Sequence, residues 1–251
     1  MKNQETAWLL KEKYQGVESE AFYADCAQLE AGVPLGYLIG HVPFLDCTIY
    51  LDSHPLIPRP ETEYWVEKAI DTIKTSSTRQ DLVLDLCAGS GAVGVAVAKA
   101  ISDAQVTFVE LDPSHLPTIE KNFTKNTIVY DSEKYQVLAS DLFAALLNGE
   151  RFDYILTNPP YIDVAANTVD KNVVEHEPHL ALFGGEAGME LIYKIISQAP
   201  QYLASSGQLW IEHEPAQVEA ITTLAHTNDF TIITHLDQYQ VPRFSVLTMA
   251  Q

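Results

Sequence analysis

Apolar positions along residues 3–31 recur at roughly helical spacing (Trp8, Leu9, then Ala21, Phe22, Cys26, Leu29), and Gly16 interrupts them; two short helices are predicted. Pro34–Gly40 reads as a glycine-punctuated connector and Phe44–Leu51 as a strand of a hairpin. Pro58 and Pro60 fix the next loop, ahead of a helix over about Glu61–Ile73 with acids in its first turn. From residue 82, short apolar runs alternate with amphipathic stretches. Strands are predicted at Leu82–Leu86, Val106–Glu110, Tyr135–Ala139, the run opening at Phe152, Gln208–Glu212, Phe230–His235 and Phe244–Met249. Helices are predicted to about Ile101 and over Pro113–Asn122, Gly188–Leu203 and Pro215–Thr227, with a short one after Asp141. This alternation implies an α/β fold with a largely parallel sheet covered on both faces. The last two strands, joined by a short loop, should pair antiparallel.

The stretch Phe152–Tyr161 holds the clearest chemical signal. Its first half is a buried strand by composition, and Asn158-Pro159-Pro160-Tyr161 ends that strand abruptly. Each proline fixes φ and disfavours the helical region for the residue before it. Asn158 and Pro159 are therefore expected to be extended, with the Asn158 side-chain oxygen and the Pro159 carbonyl available to a planar –NH2 group. Tyr161 is placed to stack on that group's π-face. Such a corner holds an amino or amide nitrogen and aims its lone pair; taken alone, the same tetrapeptide is also ordinary loop punctuation.

Upstream, Asp85-Leu86-Cys87-Ala88-Gly89-Ser90-Gly91-Ala92-Val93-Gly94 joins the first strand of the alternation to its helix. Small residues there let the backbone approach a ligand, and the helix start offers N–H donors. Gly89, Gly91 and Gly94 spell G-x-G-x-x-G, and Glu110 ends the next strand, which is also the dinucleotide fingerprint. Three features favour S-adenosylmethionine over NAD. Asp85 can hold a ligand ammonium, a group that NAD lacks. Asp141 can accept from an adenine amino group while Leu142 packs on the ring. The fourth strand ends in Asn-Pro-Pro-Tyr, which has no role in hydride transfer. Glu110 serves a ribose diol in either case.

The chain has 251 residues, enough for one large α/β domain or for one domain with an appendage, and 34 acids against 15 bases give a net charge of −19. That excess opposes a tight grip on a phosphate backbone and any direct nucleic-acid binding. Cys26, Cys47 and Cys87 are odd in number and show no C-x-x-C pairing, as expected of reduced thiols in a cytoplasmic protein. No apolar run approaches a membrane span, and Met1–Glu20 has neither signal nor transit character.

These motifs resemble those of class I methyltransferases that modify planar nitrogens. Leu56-Ile57-Pro58-Arg59-Pro60-Glu61-Thr62-Glu63 and Glu177-Pro178-His179-Leu180-Ala181-Leu182-Phe183-Gly184-Gly185-Glu186-Ala187-Gly188-Met189 narrow the resemblance to the HemK/PrmC family, the peptide chain release factor glutamine N5-methyltransferases. Pro34, Tyr37, Gly40 and Arg243 fit as well, so the likeness runs from about residue 33 to the end. It implies a Rossmann-like, mostly parallel seven-stranded sheet with an antiparallel last strand and a small N-terminal helical domain. It implies domains at 1–42 (substrate docking), 43–58 (hairpin linker) and 59–251 (methyltransferase). It implies S-adenosylmethionine as methyl donor and S-adenosylhomocysteine as product, without a metal. Asp85, Ala88, Gly89, Gly91, Glu110, Asp141, Leu142 and Asn158 would then hold the cofactor. Asn158, Pro159 and Tyr161 would act catalytically, and Asn158, Pro159, Pro160, Tyr161 and Arg59 would take the substrate. The implied partners are class I release factors, methylated at the glutamine amide of a Gly-Gly-Gln loop by a monomer. The stretch before Pro34 is shorter than the helical domain the resemblance implies.

Other readings stay open at this level. A nucleic-acid amino methyltransferase would share the pocket logic, a ribosomal-protein glutamine methyltransferase is a near relative, and a non-catalytic cofactor-binding module is a third possibility. His176 and His179 beside Glu175 and Glu177, and the run Glu212-His213-Glu214, lack familiar ligand spacing and are not expected to bind metal. Cys87 is expected to pack, not to act as a nucleophile. Trp8 and Phe22 are expected in the core. Arg59 either contacts the protein substrate or braces its loop, and Arg243 either pairs with an acid of the fold or lines the pocket.

Overall fold

The computed structural model describes residues 2–76, 81–127, 134–166 and 171–250. Helices α1 (Lys2–Glu12) and α2 (Glu20–Glu30) form as the spacing predicts, and Ser19 caps α2 by accepting from the Phe22 N–H at 3.2 Å. The expected connector contains a single-turn helix, α3 (Leu35–Ile39), which Gly40 ends in the left-handed region. Leu9, Phe22 and Leu38 bury together in a small core of their own. Phe22 is buried as expected, but Trp8 is 49 % exposed. Neighbouring residues on a helix cannot share a face, and Leu9 takes the inward one.

The apolar run read as one strand from Phe44 is a hairpin, β1 (His41–Phe44) and β2 (Cys47–Tyr50), turning through Leu45 and Asp46. An apolar residue in the turn concealed it, and the expected boundary between residues 42 and 43 falls inside β1. The body follows as α4 (Pro60–Ser76), β3 (Leu82–Leu86), α5 (Ala92–Ala100), β4 (Gln105–Glu110), α6 (Leu116–Asn126), β5 (Tyr135–Ala139), β6 (Phe152–Thr157), α7 (Lys171–His176), α8 (His179–Leu182), α9 (Glu190–Gln198), β7 (Leu203–Glu212), α10 (Val218–Thr227), β8 (Phe230–Leu236) and β9 (Pro242–Met249). Seven strands pair in the order β5-β4-β3-β6-β7-β9-β8, and β9 alone runs against the others. Alternate residues of β3 feed opposite faces: Val83 joins the cluster around Trp65 and Phe108, while Leu84 and Leu86 join the one around Ile155 and Ile195.

The sequence reading missed the start of β7, which lies at Leu203 because Ser205, Ser206 and Gly207 interrupt the apolar pattern; the register against β6 shifts there. It also missed α7 and α8, which are short and separated by Pro178. Two asparagines of α6 seal the exposed edge of the hairpin. Asn122 accepts from the Tyr50 N–H (2.7 Å) and donates to the Tyr50 and Ser90 carbonyls (3.0 and 2.9 Å). Asn126 accepts from the Thr48 N–H and donates to the Thr48 carbonyl, both at 2.9 Å. The two side-chain amides stand in for a neighbouring strand and tie the hairpin to the sheet body. Among the described residues no helix is long and apolar enough to cross a membrane.

Candidate active site

From β3 the sheet grows outward through β4 to β5, and the chain then returns to place β6 on the other side of β3. Such a reversal leaves a crevice beyond the carboxyl ends of the strands. A cavity of about 280 Å³ lies there. Of the residues expected to hold a cofactor, Asp85, Ala88, Gly89, Glu110, Asp141, Leu142 and Asn158 line it. Gly91 stands behind the wall: it has φ +77°, and a Cβ there would come within 3.0 Å of Ile119. Gly94 has a packing role instead, since a Cβ on it would overlap the Phe108 ring.

Asp85 is buried and accepts from the Gly94 N–H at 2.8 Å. Burial, aided by the nearby Glu110 charge and opposed by that hydrogen bond, pushes its carboxyl up to about 8. The Glu110 carboxylate is fixed against the wall by the Gly89 and Asp112 N–H groups at 2.7 and 2.9 Å. Cys87 and Leu142, both wall residues, hold φ values of +62° and +48°, a costly conformation for side chains other than glycine. Burial raises the Cys87 thiol well above its ordinary range, which keeps it un-ionised and fits a packing role.

The Asn-Pro-Pro-Tyr corner sits where β6 ends. Asn158 is half-buried and donates from Nδ2 to Thr62 Oγ1 at 3.1 Å. Thr62 in turn donates to Glu212 Oε2 at 2.7 Å, and Trp65 Nε1 donates to the same oxygen at 2.7 Å. Pro160 lines the cavity, but Pro159 and Tyr161 do not. The Tyr161 hydroxyl donates to Glu212 Oε1 at 2.9 Å, and its ring packs on the core beneath the sheet. The expected Tyr161 face over a substrate amide is thus replaced by a brace. Thr62, Trp65 and Glu212 were not singled out from sequence as site residues; a lone carboxylate closing an apolar strand at the crevice was the available signal.

Behind the corner runs a glycine-rich strap. A Cβ at Gly184 would overlap the Pro160 carbonyl oxygen, and one at Gly188 would overlap that of Tyr161. Gln217 Nε2 donates to the carbonyls of Tyr161 and Ala187 at 2.9 and 3.0 Å, stitching strap to corner. The strap's upstream end is pinned by Glu177, whose buried carboxylate takes Arg59 at 2.5 Å and the Ile57 N–H at 3.2 Å. Arg59 braces its loop and does not line the cavity. Arg243 pairs with Asp237 at 3.2 Å, within the fold. The candidate metal clusters have other partners. His176 and His179 bond the Asn172 and Val174 carbonyls, and His213 lies between Ser245 Oγ and the Glu214 carbonyl. Burial depresses His213 to about 4, so its imidazole is neutral.

A Rossmann-like sheet reversed at β3/β6, with acids at three consecutive strand ends and a proline-locked asparagine at the fourth, defines a class I methyltransferase. A family model described as the methyltransferase small domain matches residues 69–187. The release factor glutamine methyltransferase of Rhodopirellula baltica is 38% identical over 200 residues, covering 78% of this chain and 67% of that relative. That of Francisella tularensis is 36% identical over 206 residues, covering 82% and 70%. The chain belongs to the release factor glutamine methyltransferase family. Its fold is similar to that of the T. thermophilus 16S rRNA N2 G1207 methyltransferase solved with AdoMet and guanosine (TM-score 0.57, 21% identity, 84% of this chain and 50% of that one).

Proposed function

We propose that this chain transfers a methyl group from S-adenosylmethionine to the side-chain amide nitrogen of the glutamine in the Gly-Gly-Gln loop of class I release factors. The observation that carries the reading is the Asn158 side chain, anchored through Nδ2 so that Oδ1 is its acceptor end at the cavity wall. Asp85 suits the donor's ammonium, Glu110 its ribose diol, and Asp141 and Leu142 its adenine, while Ala88 and Gly89 give close backbone approach and Gly91 shapes the loop. The donor supplies an electrophilic methyl on a sulfonium. Asn158 Oδ1 accepts one N–H bond of the substrate amide against the wall formed by Pro160, and the Pro159 carbonyl, set back from the cavity lining, takes the other once the substrate is seated. An amide nitrogen is a poor nucleophile because its lone pair is delocalised. Two acceptors on its protons favour the positive charge that develops as the N–CH3 bond forms and the sulfonium's S–CH3 bond breaks, and one of those protons then leaves to water. Tyr161 and Arg59 brace this geometry.

We further propose the helices that precede β1 as the docking unit, the hairpin from His41 with the loop that follows it to residue 58 as the link, and 59–251 as the catalytic body, acting as a cytoplasmic monomer on protein. The net charge of −19 opposes binding to nucleic acid. The test is incubation with labelled S-adenosylmethionine and either purified release factor or total RNA. Label should enter the release factor and vanish when its Gly-Gly-Gln glutamine is changed to alanine; label in the RNA would sink the reading.

Asp85 makes donor binding pH-dependent. With its carboxyl raised to about 8, the free protein holds a proton there at pH 7. An ammonium ligand favours the carboxylate, so binding releases that proton, and affinity should rise by up to about tenfold per pH unit below pH 8 and level off above it. Calorimetry in buffers of different ionisation enthalpy reads the proton directly. The same group contributes stability to the free protein that is fully present below its ordinary value of 3.8 and is lost progressively as pH rises from there through about 8.

A further inference from the structure

We infer that Glu212, acting through Thr62, fixes which end of the Asn158 amide faces the substrate, making Thr62 and Glu212 positioning residues for methyl transfer. The inference rests on the amide-acceptor role proposed for Asn158. The groups come from three distant parts of the chain: Thr62 and Trp65 on α4, Asn158 and Tyr161 after β6, and Glu212 at the end of β7.

Burial pushes the Glu212 carboxyl up, opposed by the hydrogen bonds from Trp65, Thr62 and Tyr161, and with Glu212 ionised donor and acceptor capacities leave one consistent arrangement. A carboxylate only accepts, and an indole N–H only donates. Trp65 therefore keeps Glu212 Oε2 an acceptor, and the single hydroxyl proton of Thr62 is committed to that same oxygen. Only lone pairs remain on Thr62 Oγ1, so the Asn158 atom facing it at 3.1 Å has to be the –NH2 end. Oδ1 is thereby set as the other end of the side chain. Turned round, Asn158 would set its oxygen against the Thr62 lone pairs and offer a donor to the substrate's own –NH2. Glu212 is 1 % exposed and Thr62 4 %, so water does not compete for the bonds that Thr62 and Trp65 make to Glu212, while the Asn158–Thr62 bond lies at the cavity wall. Burying a carboxylate opposes stability, and an apolar residue would pack as well at less cost. The relay gives the buried charge a use in orientation.

The test compares Thr62→Val, Thr62→Ser, Asn158→Ala and the Thr62→Val/Asn158→Ala double variant, with kcat measured on release factor and donor affinity measured separately. Thr62→Val should lower kcat by about 30-fold while donor Kd stays within about twofold. Thr62→Ser, which keeps the hydroxyl, should recover most of that loss. In the Asn158→Ala background Thr62→Val should add less than about twofold, because the group it orients is gone. Glu212→Gln gives a second route should Thr62→Val fold poorly. Its amide oxygen can replace Oε2 toward Thr62 and Trp65, so kcat should stay within about tenfold of the parent. The relay is overturned if Thr62→Val retains the parent kcat while Asn158→Ala is inactive, which leaves the amide reading standing. It is also overturned if the double variant loses the product of the two single losses, or if Glu212→Gln is as inactive as Asn158→Ala. Full activity of Asn158→Ala would overturn relay and amide reading together.

Discussion

Asn158→Ala is expected to lower kcat by about 10²-fold or more while changing donor affinity little, because preorganised groups aimed at developing charge each contribute on that order. The alanine backbone still enters the proline-locked corner extended, so the Pro159 carbonyl stays in place. Only the Oδ1 acceptor and the bond to Thr62 disappear. Substrate KM should rise less than kcat falls, since the lost interaction strengthens as the amide nitrogen becomes positive. Steady-state kinetics on intact release factor, with donor affinity from calorimetry, separate the two effects. A parent-like kcat would remove Asn158 from the chemistry.

Gly188→Ala is expected to be the most damaging single-methyl change in the strap. Gly188 holds φ +67°, and a Cβ on it would overlap the Tyr161 carbonyl oxygen and come within 2.6 Å of Gln217 Nε2. Backbone cannot yield as a flexible side chain can, so the corner has to shift. A loss of about 3 kcal/mol in urea unfolding is expected, together with most of the activity. Gly149→Ala is the control. It also has positive φ (+92°) but nothing within 4 Å of the new methyl, so only the conformational penalty of about 1 kcal/mol applies. If the two variants unfold at the same urea concentration, the strap does not press on the corner.

The parts of this fold that were legible in the sequence are those whose cause is local. Leu82–Leu86 is apolar apart from Asp85 because Val83, Leu84 and Leu86 are buried on the two faces of the sheet, and it announces a central strand. The loop after it carries glycines because the backbone turns sharply there, and Pro159 and Pro160 end β6 by their own geometry. Local pattern could not show pairing at a distance. Glu212 meets α4 and the Tyr161 corner across a sequence separation that no periodicity records, so it was weighed only as part of a weak metal motif. Arg59 was an open choice until Glu177, far along the chain, supplied its partner. The strap glycines were recognised by resemblance, whereas the overlap of their missing methyls with the corner explains them. Ser205 and Ser206 hid the first half of β7 because strand pairing there is irregular, and Leu45 hid a turn by being apolar.

The place of β9 has a consequence for when the enzyme becomes competent. This strand follows β8 along the chain, yet it lies between β7 and β8, with Phe244 opposite Glu212 and the Arg243 carbonyl accepting from the His213 N–H at 2.9 Å. Until it docks, the carboxylate that organises the corner has water on one flank, and Trp65 lacks the Phe244 ring beside it. A polypeptide cut before Pro242 is therefore expected not to assemble the site, however well the preceding residues have collapsed. Catalytic competence thus waits on β9, and a copy cut short of it is expected to be silent rather than half-active.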